Sequence, residues 1–268
     1  MKMTRPIIKF DDNFVALISA GASGIGKVVA QSLLSLGAQV HICDISQSAI
    51  TEFLEENPNA SATLCDVADY QQVEKVYQEL TARYGRLDLL VNNAGIAGPT
   101  AKLEDIEPSD WRQTIDIDLN AQFYFSKLAA PLLKANPEGG SIINMSSNAG
   151  FFGFPLRSPY TASKWAILGL TKTWAMELGP SKIRVNAICP GSVKGERIDG
   201  VIARDAQERG VSIEEITDTY QQQSSMRLFV GPEDIANTIA FLASPLGACI
   251  SGQTIGLDGH TESLSNNL

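Results

Sequence analysis

Tyr160 and Lys164 stand four residues apart in the run SPYTASKWAILGL. On a helix that spacing puts both side chains on one face, a turn apart. An ammonium beside a phenol favours the phenolate and lowers a pKa from about 10. The pair can therefore act as a general base near neutral pH. Alone, the same spacing also fits a solvated helix face. Ser147 comes thirteen residues before Tyr160, at the end of the apolar run SIINMS.

A second group of residues could hold a dinucleotide. The apolar run FVALIS leads into Ser19-Ala20-Gly21-Ala22-Ser23-Gly24-Ile25-Gly26. Small residues between a strand and a helix let the backbone approach a pyrophosphate, and the helix N-terminus offers N–H donors. Asp44 ends the next apolar run, 18 residues after Gly26. A carboxylate there can bond the adenosine-ribose hydroxyls and repel a 2′-phosphate. It also suits a helix N-cap, as does Ser46.

These residues need a scaffold, and the hydrophobic pattern supplies one. Strand-like runs at 14–19, 39–43, 61–65, 87–92, 141–146, 182–189 and 253–258 alternate with helical stretches at 24–36, 46–56, 69–84, 109–135 and 158–178. Such alternation implies right-handed crossovers and a parallel sheet. The runs are continuously apolar, as in strands covered on both faces. The expectation is an α/β fold, a single-domain Rossmann-like doubly wound sheet of about seven strands spanning 1–268. Residues 192–229 break the rhythm and read as a lid over a site.

With these motifs in order, the chain resembles the short-chain dehydrogenase/reductase family, in its compact single-domain form. The resemblance runs from about Val15 to Gly259. It is carried by the glycine turn, Asp66-Val67, Asn92-Asn93-Ala94-Gly95, Asn120, Ser147, Tyr160 with Lys164, Pro190-Gly191 and Ser251-Gly252-Gln253. It implies that Tyr160 exchanges a proton with the substrate oxygen and that Ser147 positions that oxygen. Lys164 would grip the nicotinamide ribose, and Asn120 would hold a water linking Lys164 to solvent. Asp66 and Val67 would flank the adenine; Asn93, Ala94 and Gly95 would line the cofactor; Pro190, Gly191 and Val193 would pack beside the nicotinamide. Three positions depart from the family pattern, the mildest being Ser19 in place of the usual threonine at the start of the motif. Ala20 replaces the first glycine of the turn and demands a negative φ. Gly195 stands where a threonine is frequent.

The expected activity is NAD-dependent interconversion of a secondary alcohol and a ketone, with hydride transfer to C4 of NAD⁺. The rival readings are an epimerase or dehydratase with tightly held NAD, and a non-catalytic NAD-responsive regulator. A formal net charge of −9 over 268 residues argues against nucleic acid as a partner. No apolar run is long enough to span a membrane, and the N-terminus, with Lys2, Arg5 and Lys9, has no apolar signal region. Cys43, Cys65, Cys189 and Cys249 form no ligand or redox motif, which suits a cytoplasmic setting. No metal site is expected, since His41 and His260 stand without evident partners. Arg157, Lys194 and Arg197 form either a patch for an anionic substrate, such as a sugar acid or hydroxy acid, or solvated surface. The apolar helices at 109–135 and 158–178 point, through the resemblance, to a homotetramer.

Overall fold

The computed structural model describes residues 8–262; Lys2 and Arg5 lie outside that range, as does the side chain of Arg197. Seven strands form one parallel sheet: β1 Val15–Ser19, β2 Gln39–Asp44, β3 Ser61–Leu64, β4 Leu89–Asn92, β5 Gly140–Met145, β6 Ile183–Pro190 and β7 Thr254–Leu257. Their order is β3-β2-β1-β4-β5-β6-β7. The chain winds outward from β1 to β3, then returns to the centre and winds the other way from β4. The reversal between β1 and β4 opens a crevice at the strands' C-terminal ends, where α/β sheets bind ligands.

Side chains alternate across the sheet, so β1 feeds two cores. Ala16 and Ile18 join one with Val29, Leu33, Ile42, Ile143 and Ile239. Val15 and Leu17 join the other with Val76, Leu80, Leu90, Phe125 and Val185. The covering helices include α1 Gly24–Ser35, α2 Gln47–Glu56 and α3 Tyr70–Tyr84. The single helix expected at 109–135 divides into α4 Pro108–Ile115 and α5 Ala121–Ala135, joined by a π-helical turn, Asp116–Asn120. The turn widens the spiral inside a helix and redirects the side chains that follow. The catalytic candidate helix is α6 Ser158–Leu178.

The expected lid folds as two helices, α7 Glu196–Arg209 and α8 Ile213–Gln222. They share a small core of Ile202, Ala206 and Ile216. Tyr220 on α8 donates to Asp205 on α7, and burial, helped by that carboxylate, pushes its phenol up to about 12. Both ends of the excursion are pinned together by a bridge between Val193 and Val230. A further helix absent from the sequence reading, α9 Pro232–Ala243, packs on α1. Gly195, at the start of α7, has φ +133. A threonine would be strained there, which accounts physically for the glycine.

Ala20 overturns an expectation. Its φ is +50, in the left-handed region rather than at the negative value a methyl favours. The fold imposes this because Gly21 donates to the Cys43 carbonyl, which pulls the chain back over β2. A glycine at position 20 would relieve the strain while adding chain entropy to the unfolded state. Ala20→Gly should raise stability by up to about 1 kcal/mol, read from urea unfolding.

His41 also differs from its reading as a residue without partners. It lies buried in β2, with Nδ1 2.6 Å from Ser61 Oγ and Nε2 3.0 Å from Thr63 Oγ1. Burial lowers its pKa from 6.5 to about 4, the nearby Glu79 charge opposing this only in part. A depressed folded pKa means that the neutral ring is the stable native form. Its contribution is complete above pH 6.5 and is lost as pH falls from there toward 4. Urea unfolding of the wild type and His41→Gln should therefore diverge across that window, with about 3 kcal/mol more acid loss in the wild type.

Candidate active site

The first βα turn is built at glycine distances. A Cβ on Gly26 would fall 2.1 Å from the Ala20 carbonyl oxygen, and one on Gly21 would fall 2.6 Å from Ile42. Neither position admits a side chain while the turn keeps this path. Ser23 precedes α1 but makes no side-chain cap, and the helix carries no acid in its first turn. Its leading N–H groups thus remain a donor site for a phosphate.

Asp44 closes β2 beside this turn. Its side chain is buried; Oδ2 accepts the Ala22 N–H at 3.1 Å and Oδ1 accepts the Ser46 N–H at 3.1 Å. Ser46, not Asp44, caps the following helix by accepting from Ala49. The capping alternative for Asp44 is therefore taken by its neighbour. Each carboxylate oxygen keeps a second lone pair for a diol.

Ser19 and Asn93 bind the turn to the far side of the crevice. Ser19 Oγ accepts the N–H groups of Asn93 and Ala94, both at 3.0 Å. Asn93 Nδ2 donates to the carbonyls of Ser19 and Ala20 at 3.0 and 3.1 Å. Asn93 thus holds the turn through its side chain, a contact the sequence did not specify. Asp66 Oδ1 accepts the Ala68 N–H, while Val67 is buried just after β3. On the other flank, Pro190 ends β6 and Gly191 donates to Leu257. A Cβ on Gly191 would press on Asp258 at 2.9 Å.

The chemistry-bearing residues gather beyond β5. Ser147 follows Met145 by two residues, and its Oγ accepts the Ala149 N–H at 3.2 Å. That bond uses a lone pair and leaves the hydroxyl hydrogen to be donated elsewhere. Tyr160 is half-buried on the first turn of α6, and Lys164 Nζ lies 5.2 Å from its ring centroid. Lys164 is buried and donates to the Met145 carbonyl at 3.4 Å. Ser146 fixes the same helix to the strand by donating to the Lys164 carbonyl at 2.9 Å.

Asn120 does not direct its side chain to Lys164. Its Nδ2 donates to Asp116 Oδ1 at 2.7 Å, one turn back along the helix. The side chain that meets Lys164 is Asp118, whose Oδ2 is 3.5 Å from Nζ. Its Oδ1 accepts the Ile96 N–H at 2.7 Å. The sequence did carry a signal for this residue. Thr114, Asp118, Gln122, Phe125, Ala129 and Leu133 form the buried stripe of α4 and α5, and Asp118 is the carboxylate on it.

Arg157 donates from Nη1 to the carbonyls of Ala97 and Gly98, holding the loop after β4. Lys194 is exposed near the start of α7. Cys43, Cys65 and Cys189 are buried free thiols, and Cys249 is exposed. No helix among the described residues is long and apolar enough to cross a membrane.

Known proteins share this fold. Residues 19–260 match the family model described as Enoyl-(Acyl carrier protein) reductase. The chain is 39% identical to trans-4-hydroxycyclohexanecarboxylate dehydrogenase of Sinomonas cyclohexanicum, over 95% of its own length and 94% of that protein's. Among solved structures, levodione reductase aligns with a TM-score of 0.86 at 28% identity, covering 94% of this chain and 98% of that one. NAD⁺-bound xylitol dehydrogenase aligns with a TM-score of 0.85 at 25% identity, covering 91% and 97%. The sheet order, the glycine turn at its switch point and these matches agree: the chain belongs to the short-chain dehydrogenase/reductase family, which uses nicotinamide cofactors, and is an oxidoreductase of the class that acts on CH–OH groups.

Proposed function

We propose that the chain is an NAD-dependent dehydrogenase interconverting a secondary alcohol and a ketone, with a ring-borne hydroxyl as its substrate class. The observation that carries this reading is Lys164 Nζ lying 5.2 Å from the Tyr160 ring centroid on α6, in a helix that Ser146, the neighbour of Ser147, ties to β5 through the Lys164 carbonyl. A relative whose name denotes a ring substrate, the hydroxycyclohexanecarboxylate dehydrogenase, supports the substrate class. Phe151, Phe152 and Phe154, which follow Ser147, supply apolar surface suited to a ring.

In this reading each group has a separate task. Ser147 donates its hydroxyl hydrogen to the substrate oxygen and fixes its position. The Lys164 ammonium offsets the negative charge of the Tyr160 phenolate, which takes the hydroxyl proton and becomes neutral. Asp44 accepts the adenosine-ribose hydroxyls and repels a 2′-phosphate. The first-turn N–H groups of α1 receive the pyrophosphate, and Lys164 also donates to the nicotinamide ribose. When bound, NAD⁺ supplies the hydride acceptor; the protein contributes proximity and charge placement. Phe123, Trp165 and Met176, exposed on α5 and α6, support assembly through these helices into a homotetramer. Four free cysteines suit a cytoplasmic setting.

The deciding experiment is a panel of cyclic alcohols, polyols and hydroxy acids assayed with NAD⁺. Tyr160→Phe should keep the fold and cofactor affinity but lose about 10²–10⁴-fold in turnover, because only the proton-trading group is removed. Ser147→Ala should lower turnover at nearly constant NAD affinity, whereas Lys164→Ala should weaken both. Near-wild-type turnover by Tyr160→Phe would refute the proton-transfer role.

Cofactor choice is a separate test. Calorimetry should show the wild type binding NAD⁺ much more tightly than NADP⁺. Asp44→Ala should weaken NAD⁺ and narrow the gap, since it deletes both the diol acceptor and the repulsion. Equal wild-type affinities would overturn this role for Asp44.

A further inference from the structure

Asp118 is the buried charge that this division of labour leaves unexplained. Its side chain is fully buried, and Oδ2 has no hydrogen-bond partner, facing Lys164 Nζ at 3.5 Å. Among the described residues, Lys164–Asp118 is the ion pair in which both side chains are buried. Buried pairs are poor stabilisers, because desolvation offsets their attraction. The structural duty of Asp118 is to accept the Ile96 N–H through Oδ1, and an asparagine oxygen could do the same. The negative charge itself therefore calls for a role.

The role follows from counting charges around Nζ. Once Tyr160 gives up its proton, one ammonium faces two anions, the phenolate and Asp118. We propose that Asp118 is a positioning residue that competes with Tyr160 for the Lys164 ammonium and thereby raises the pH at which the base form appears. The proposal rests on the proton-transfer reading of Tyr160. It makes alcohol oxidation favour alkaline conditions, and it keeps the phenol protonated for donation in the reverse direction.

The neighbouring groups leave this competition to the trio. From β6, burial pushes the Cys189 thiol up to about 11, so it stays neutral near physiological pH. Asp258, after β7, acts on that thiol and is occupied by the N–H groups of His260 and Thr261. From β5, the Met145 carbonyl accepts from Nζ. From the loop after β4, Gly95 approaches both Asp118 and Nζ without a charge. Arg157, at the start of α6, holds the carbonyls of Ala97 and Gly98.

The test needs no cofactor or substrate. The tyrosinate ultraviolet band is titrated in the wild type and in Asp118→Asn, each minus its own Tyr160→Phe counterpart, so that the difference isolates Tyr160. Asp118→Asn should move the Tyr160 step to lower pH by about one unit, the size expected for loss of one nearby charge. The acid limb of alcohol oxidation should move with it, using whichever panel alcohol the wild type turns over. Asp118→Ser, run in parallel, should shift the step in the same direction, and Asp118→Glu should restore the wild-type position. Coincident or upward-shifted steps in the neutral variants overturn the proposal. So does failure of both neutral variants to fold, which would make Asp118 structural. The proton-transfer reading fails differently, by full turnover in Tyr160→Phe or by the absence of any Tyr160 step, and it would take this proposal with it.

Discussion

Ser19 sits at the end of β1, and its hydroxyl oxygen accepts two N–H groups from the end of β4. Those two strands flank the point where the winding of the sheet reverses. A reversal leaves adjacent strand ends feeding helices on opposite faces, so nothing covalent holds the two sides of the crevice together. Ser19 and Asn93 supply the missing connection with four hydrogen bonds. The glycine turn, the loop toward Ile96 and the Asp118 acceptor all take their positions from this tie. Even the left-handed Ala20 belongs to it, since its carbonyl is one of the groups that Asn93 holds.

The parallel architecture was legible because its signal is redundant. Seven apolar runs, each bounded by turn residues, all report the same period, and the strand positions agree within a residue or two. Asp44, Ser147, Tyr160 and Lys164 were legible for a different reason. Asp44, Ser147 and Tyr160 lie at or near the end of a regular element, where the chain path fixes a side chain's direction, and Lys164 follows Tyr160 by one turn of the same helix. Asn120 illustrates the opposite case. It lies inside a helix, where facing depends on the cumulative twist, and the π turn at Asp116–Asn120 alters that twist. Sequence periodicity cannot register one widened turn. The burial stripe through Asp118 did mark the residue facing inward, but a carboxylate at such a position reads as an exception until its cation is seen.

Other contacts stayed hidden for a shared physical reason. His41 had no apparent partner because Ser61 and Thr63 lie on β3, the neighbouring strand, and only the register brings them to its two nitrogens. Arg157 was open to two readings, an anion site or solvated surface, and neither foresaw its donation to the Ala97 and Gly98 carbonyls, which are distant in sequence. The 192–229 segment looked irregular because its two helices bury only a few apolar positions, the small core of Ile202, Ala206 and Ile216. In each case the deciding contact is long-range, whereas composition and spacing describe neighbours along the chain.

The site also shows how a protein separates the tasks of one small region. Ser147 accepts the Ala149 N–H with one lone pair, which leaves its hydroxyl hydrogen available for donation. Asp44 is held by two backbone N–H groups, which support its negative charge beside a turn that leaves helix donors open for phosphate. Lys164 is held between a carbonyl and a carboxylate, so its ammonium is restrained before anything binds. Hydrogen bonds made within the protein thus decide which face and which charge each group presents outward. The same constraint limits exchange among them: a substitution that preserves size but alters donor, acceptor or charge changes the neighbour's behaviour as well as its own.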